Sequence, residues 1–284
     1  MMNLRKCDSK EGAASEAIGF MLIFAMVIAG IGLVTLYGYP ILLQQQSTAN
    51  ERIMEKNMIV LQNDMKSLAY KTVPFKETSL KVDGGAISLF EWVGPTASSN
   101  GNITLDFHDS LGNHLTETFN LSEIRYESTD GTTHISLQNG AVVKRQNLVQ
   151  GSVMLAEPRW FYDQLTNTMV LNFISVNSTN TYESRTGIST IQMGAGTSTF
   201  YNITSNIDQP IYLEYTPDPT GIEDYTTAWD NYLMNTMKAT RVLPDKQYPL
   251  NALPTKRYTL WTYSGTGPKG TLVLKNTTIM INSF

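Results

Sequence analysis

Residues 13–43 read AASEAIGFMLIFAMVIAGIGLVTLYGYPILL, and the rest of the chain is arranged around them. From Ala17 to Leu43 no side chain is charged. An apolar run of about 18 residues or more reads as a helix that spans a bilayer. At about 1.5 Å rise per residue, this one reaches about 40 Å, against roughly 30 Å of hydrocarbon. The surplus leaves room for tilt or for a kink at Pro40. Residues 1–12, MMNLRKCDSKEG, carry Arg5, Lys6 and Lys10. Those cations favour the cytoplasmic side, which sends everything after the helix outward. A secretory signal peptide would have an apolar region of only about 7–15 residues and a small-residue cut after it. Here the run is too long, and Gln44-Gln45-Gln46-Ser47 is a poor cut site.

A cut, if made, therefore belongs before the apolar run. The stretch Lys10-Glu11-Gly12-Ala13-Ala14-Ser15-Glu16 resembles the class III signal peptide of archaeal type IV pilins and archaellins. Those have a short charged leader, a small residue at the cut, then Ser and Glu ahead of an uncut apolar helix. The resemblance implies that a prepilin peptidase cuts after Gly12 and leaves Ala13 as the new N-terminus. It further implies that Glu16 pairs with the free amine of a neighbouring subunit and sets the filament stagger. The residues alone also permit Glu16 to act locally, as a first-turn carboxylate with Ser15 as N-cap.

The 284 residues leave room, after the leader and helix, for one large domain or two small ones. Charged residues are 16 % and the net charge is −4, so no basic surface points to nucleic acid. The single cysteine, Cys7, lies in the leader, so the outer part has no disulfide. Five N-x-[ST] sequons, at Asn102, Asn120, Asn177, Asn202 and Asn276, all follow the helix. Their placement suits an exported, N-glycosylated surface protein.

After Leu43 the chain turns polar but keeps a helical beat. Met54, Met58, Leu61, Met65 and Leu68 form a heptad seam, with Ile53, Ile59 and Val60 widening it. One helix is expected from about residue 15 to 71, apolar all round first (13–43) and amphipathic after (44–72). Pro74 ends it. The pattern then changes to period two. Asp130-Gly131 and Asn139-Gly140 punctuate residues 124–145 into a three-strand meander. Further strands are expected at 86–93, 103–107, 116–121, 159–162, 169–176, 187–193, 197–203, 210–215, 258–262, 271–275 and 278–281. A break at Gly194-Ala195-Gly196 divides the outer part into β-rich halves, 73–193 and 194–284. Thr220-Gly221-Ile222-Glu223 reads as a capping box opening a helix over about 220–238. The expected fold is mainly β: a long N-terminal helix, then a β-sandwich-like domain with one inserted helix. Residues 157–162 (EPRWFY) and 228–233 (AWDNYL) are similar to patterns in pilin-like archaeal envelope proteins without assigned chemistry.

Signals for catalysis are thin. Gly265-Thr-Gly267-Pro-Lys-Gly270 matches a dinucleotide fingerprint letter for letter, but a strand follows it where a helix is required, so a hairpin loop is expected. His108 and His114 can meet across the turn between them, but a zinc site needs further ligands and no cysteine is at hand. Asp218, Glu223, Asp224 and Asp230 form an acidic patch that suits calcium or merely the first turn of a helix. Trp92, Trp160, Trp229 and Trp261 are expected in the core. No nucleophile elbow is present. The expectation is a non-enzymatic, cofactor-free pilin-like surface subunit, either membrane-held or assembled with itself or other pilins. The alternative is a single-pass envelope protein that never polymerises and whose β domain binds glycan or another surface protein.

Overall fold

A computed structural model describes residues 9–71, 73–90, 101–147, 151–178, 184–218, 224–246, 255–263, 265 and 269–283, with 9–14, 201–206 and 244–246 as backbone only. The chain forms two compact units, Met1–Asn50 and Glu51–Phe284.

In the first unit, α1 (Ser9–Leu33) leads through a π-helical turn (Val34–Gly38) into α2 (Tyr39–Tyr70). The π turn has a local cause. Pro40 has no N–H to give to the carbonyl four residues back, and its ring crowds that carbonyl. The helix widens by one residue instead, so that the Tyr39 N–H reaches Val34 O. Thr35 Oγ1 donates to Ile31 O at 2.9 Å in the same stretch.

In the second unit, the rest of α2 buries Met54, Met58, Leu61, Gln62, Met65, Leu68 and Ala69. The heptad seam is as expected, but Ile53 and Val60 remain 45 % and 51 % exposed. The buried stripe is thus narrower than expected, because only one helix face meets the sheet. Lys275 Nζ caps the end of α2 by donating to Ala69 O.

Among the described residues fourteen strands follow: β1 (Phe75–Phe90), β2 (Asn102–His108), β3 (His114–Asn120), β4 (Glu123–Ser128), β5 (Thr133–Gln138), β6 (Ala141–Gln146), β7 (Ser152–Ala156), β8 (Phe161–Asp163), β9 (Thr168–Ser178), β10 (Ser184–Ile207), β11 (Ile211–Thr216), β12 (Thr240–Lys246), β13 (Thr255–Trp261) and β14 (Gly270–Ser283). Nine form a first sheet in the order β7-β6-β5-β4-β1-β10-β14-β9-β8. Five form a second, β12-β13-β11-β2-β3. Pairs are antiparallel except β9 with β14.

The first sheet is covered on one face by one core and, over part of its width, on the other face by a second. On β9, Met169, Leu171 and Phe173 enter one core while Ile174 and Val176 enter another. On β14, Leu272 and Leu274 divide from Ile279 and Ile281 in the same way. Odd and even positions point to opposite faces, so the two cores lie on opposite sides of this sheet. One face carries α2. The other carries the second sheet and a short helix, α3 (Thr226–Asn231), which runs on as a π turn (Tyr232–Thr236). The unit is therefore layered as helix, sheet, sheet.

Three sequence expectations differ from this arrangement. The break at 194–196 is absent: β10 runs through it as one strand. A Cβ on Gly196 would lie 2.7 Å from Thr278 O, and the register with β14 shifts between Ala195 and Ser198. The glycines thus mark a bulge and a close backbone approach, not a linker. The helix near 220 begins later, at Thr226. Residues 220–223 of the capping box lie outside the described residues, and Asp224 Oδ1 accepts from the Thr226 N–H at 2.9 Å. The Gly265–Gly270 stretch joins β13 of one sheet to β14 of the other, so it is no hairpin. Gly270 is required there because a Cβ would sit 2.9 Å from the Trp261 ring.

Candidate functional site

The first unit holds the candidate processing and assembly residues, Gly12, Ala13 and Glu16. Gly12 and Ala13 lie in helical backbone, since α1 begins at Ser9. Ser15 is accordingly inside the helix and is not its N-cap, and Glu16 is exposed beside it. Beyond Glu16 the apolar side chains find no cover among the described residues: Ile18, Phe20, Phe24, Leu36 and Leu42 are all more than half exposed. A Cβ on Gly19, Gly30 or Gly32 would meet nothing within 4 Å, so these glycines serve no packing inside the chain. Among the described residues this is the one helix long and apolar enough to cross a membrane. Such a surface needs lipid or other helices around it.

In the second unit the two motifs noted above, 157–162 and 228–233, come together. The ring centroids of Trp160 and Trp229 lie 5.6 Å apart, with Phe173 and Tyr232 also against Trp160. Trp160 Nε1 donates to Asn172 O at 2.8 Å, and Asn172 Nδ2 donates back to Arg159 O at 2.6 Å. The same segment receives α2. Glu157 O accepts from Gln62 Nε2 at 3.0 Å and from Lys66 Nζ at 2.9 Å, and Gln62 Nε2 also reaches Gly140 O at 2.7 Å. Thr236 Oγ1 donates to Glu157 Oε1 at 2.9 Å. Arg159 lies over the Tyr70 ring. Burial and the charge of Arg159 push Lys66 below the usual lysine range, and burial lifts Tyr70 to about 12. At the other end of this face Lys144 bridges Glu51 and Glu55 at 3.1 and 2.8 Å. Burial opposes that charge, but the two carboxylates outweigh it and raise Lys144 above normal. Both motifs are scaffold. Trp160, Trp229 and Trp261 are buried as expected, and Trp92 lies outside the described residues.

His108 and His114 do meet. They are directly opposed on β2 and β3, with ring centroids 5.1 Å apart. Asp106 bonds His114 and also Arg257, which in turn holds Glu214 and stacks on Tyr212. This is a chain of ion pairs across the outer face of the second sheet. Among the described residues no group of three or more His, Cys, Asp or Glu can hold a metal ion. Of the acidic patch, Asp230 is engaged by Lys256 at 3.1 Å and by Tyr258, Asp224 closes the turn into α3, and Glu223 lies outside the described residues.

The sequons show an unforeseen convergence. Asn102 faces Asn120 across β2 and β3. The side chain of Asn202 lies outside the described residues. Asn120, Asn177 and Asn276 all line one recess of about 240 Å³. Its floor is the face of β9 and β14 where Ser175 and Thr278 share a hydroxyl contact of 3.1 Å. Its wall is the end of β3, where Phe119 stacks on Phe173 with centroids 3.7 Å apart, and the β3–β4 connection. Here β9 outruns β8, which pairs only with Thr168–Val170. Side chains finish the uncovered edge: Asn139 Oδ1 accepts from the Ile174 N–H at 3.0 Å, and Ser122 Oγ from the Val176 N–H at 2.5 Å.

Residues 13–249 match the model of a family of unknown function, DUF7289. The chain belongs to that family. The matched residues of this DUF7289 protein take in the apolar helix, the docking segment at 157–162 and α3. No curated protein and no solved structure matches it.

Proposed function

We propose that this DUF7289 protein is a type IV pilin-like surface subunit with a structural or adhesive role and no catalytic one. Its leader is removed after Gly12 by a prepilin peptidase. Residues 17–43 then sit in membrane lipid or pack side by side with the same helix of other subunits. The β unit is displayed outside the cell. The observation that carries this reading is the apolar helix without cover, continuous with an amphipathic helix that docks on a sheet through its seam of methionines and leucines. Two further facts agree with it. The family match begins at residue 13, where the leader would end. The glycines at 19, 30 and 32 are open to close approach by another helix.

The test is the N-terminal sequence and intact mass of the protein taken from its native membrane, followed by shearing of filaments from cells carrying Glu16→Ala. A start at Ala13, with the variant reaching the membrane but missing from sheared filaments, is the expected result. A start at Met1 or Met2 overturns processing and leaves a signal-anchored envelope protein. Normal recovery of Glu16→Ala in filaments removes Glu16 from assembly.

A further inference from the structure

We infer that the recess between the β3–β4 connection and the β9–β14 face binds a single neutral sugar residue. This goes beyond the subunit reading and holds whether or not the helix polymerises.

Four observations lead there. Among the described residues, none that lines the recess is charged. An ionic ligand would lose its hydration without a counter-charge, so a neutral one is favoured. The lining is dense in groups that both donate and accept: the amides of Asn120, Asn177 and Asn276 and the hydroxyls of Ser175 and Thr278. A ligand matching them must present donors and acceptors at close spacing on a compact body, which is the chemistry of a pyranose ring. The size agrees, since about 240 Å³ is below the roughly 300 Å³ at which pockets for larger organic ligands begin. Finally, Asn139 is only 4 % exposed and spends its Oδ1 on the edge of β9, while its Nδ2 has no partner. An amide donor left unsatisfied on a residue that lines a polar recess is costly unless something in the recess accepts from it. A sugar hydroxyl or acetamido carbonyl does so.

Such a residue has two sources with one chemistry. It is either the first sugars of a glycan on Asn120, Asn177 or Asn276 of the same chain, or a sugar of an external glycan. The experiment uses the full chain from a bacterial host without N-glycosylation, held in a sugar-free amine-oxide detergent. Methyl glycosides of glucose, galactose, mannose and N-acetylglucosamine, with glucuronate as the charged control, are titrated by saturation-transfer NMR. The expected result is saturable, millimolar binding of at least one neutral glycoside and none of glucuronate. Asn139→Asp keeps the Oδ1 cap and turn but removes the donor, and Thr278→Val removes a hydroxyl from the floor. Each should weaken binding at least tenfold, while Lys269→Ala leaves it unchanged. If Asn139→Asp fails to fold, Thr278→Val carries the test. No binding by any neutral glycoside, or undiminished binding by the variants that fold, overturns the inference. Protein from its native host decides the source. Binding that appears only after enzymatic deglycosylation places the chain's own glycan in the recess, and direct binding places an external one there.

Discussion

Beside its buried apolar seam, α2 makes one polar contact in which two side chains share an acceptor, and a double-mutant cycle measures it. Gln62 is 2 % exposed and gives its amide to Gly140 O and to Glu157 O, and Lys66 gives its ammonium to the same Glu157 O. Gln62→Leu leaves Gly140 O without its side-chain donor, at about 1–3 kcal/mol for an unsatisfied buried carbonyl. Glu157 O keeps Lys66, so its loss is only the net value of one bond, about 1 kcal/mol. Leucine returns about 1 kcal/mol, because two methylenes of the glutamine stem were already buried and only the tip changes character. The balance is a destabilisation of about 1–3 kcal/mol. Lys66→Met behaves differently. It removes a charged hydrogen bond but also relieves a charge that burial and Arg159 disfavour, so it should fall within about 1 kcal/mol of wild type. The double variant leaves Glu157 O with neither donor. It should therefore lose about 1 kcal/mol more than the sum of the two single changes. Urea unfolding of the full chain in detergent, followed by tryptophan fluorescence, reads all four proteins, since Trp160 sits three residues from the shared carbonyl. Single changes that add within about 0.4 kcal/mol would mean that the Glu157 carbonyl does not couple α2 to the sheet.

Other consequences are simpler. Gly85→Ala places a Cβ 2.2 Å from Glu127 O and 2.5 Å from the Tyr126 ring; it should cost about 3 kcal/mol, read as a lower urea midpoint at unchanged slope, and a neutral effect would contradict this packing. Asp109, Asp130 and Asp163 accept turn hydrogen bonds, chiefly from Asn113, Ser128 and Thr166, and each is held below the usual carboxylate range. A folded pKa below the unfolded value, about 3.9, means stabilisation that is complete above about pH 5 and is lost as pH falls through the lowered values. The Tm should therefore be flat from pH 7 to about 5 and drop below about pH 4, and the triple Asp→Asn variant should show a shallower acid limb; an unchanged limb would show that these turns do not govern it.

The elements legible in the sequence are those whose signal is local. The methionine-leucine seam of α2 and the two turns that bound β5 depend on spacing and on residues that tolerate positive φ. Asn139, for one, sits at φ 48° and Gly140 at 69°. What was not legible depends on the second neighbour. β7 is short and half-buried, so it shows little alternation. β12 contains Pro244, which argues against a strand unless that strand lies at an edge, and β12 does lie at the edge of the second sheet. The expected split of β10 followed Gly194-Ala195-Gly196, and that of β14 has a different cause. β14 is apolar at Leu272 and Leu274 and again at Ile279 and Ile281, an odd step apart. In a sheet covered on one face, that change of phase signals a break. In a sheet covered on both, it means only that a strand leaves the shelter of one layer and enters that of the other.

The same change of layer produces the recess. The positions of β9 and β14 that continue the face of Leu171 and Leu274 beyond the second sheet are Ser175, Asn177, Asn276 and Thr278, polar where that cover ends. Each asparagine was legible singly, as a sequon or a turn residue. Their meeting was not, because it needs the parallel pairing of β9 with β14, about a hundred residues apart in sequence, and the β5–β6 turn beside the edge of β9. Asn139 serves both. Its left-handed backbone makes the turn with Gly140, and its side chain caps Ile174. An aspartate could fill both of those roles. Only the neutral amide does so without burying a charge, and it leaves Nδ2 unsatisfied, which is the feature that a ligand in the recess would explain.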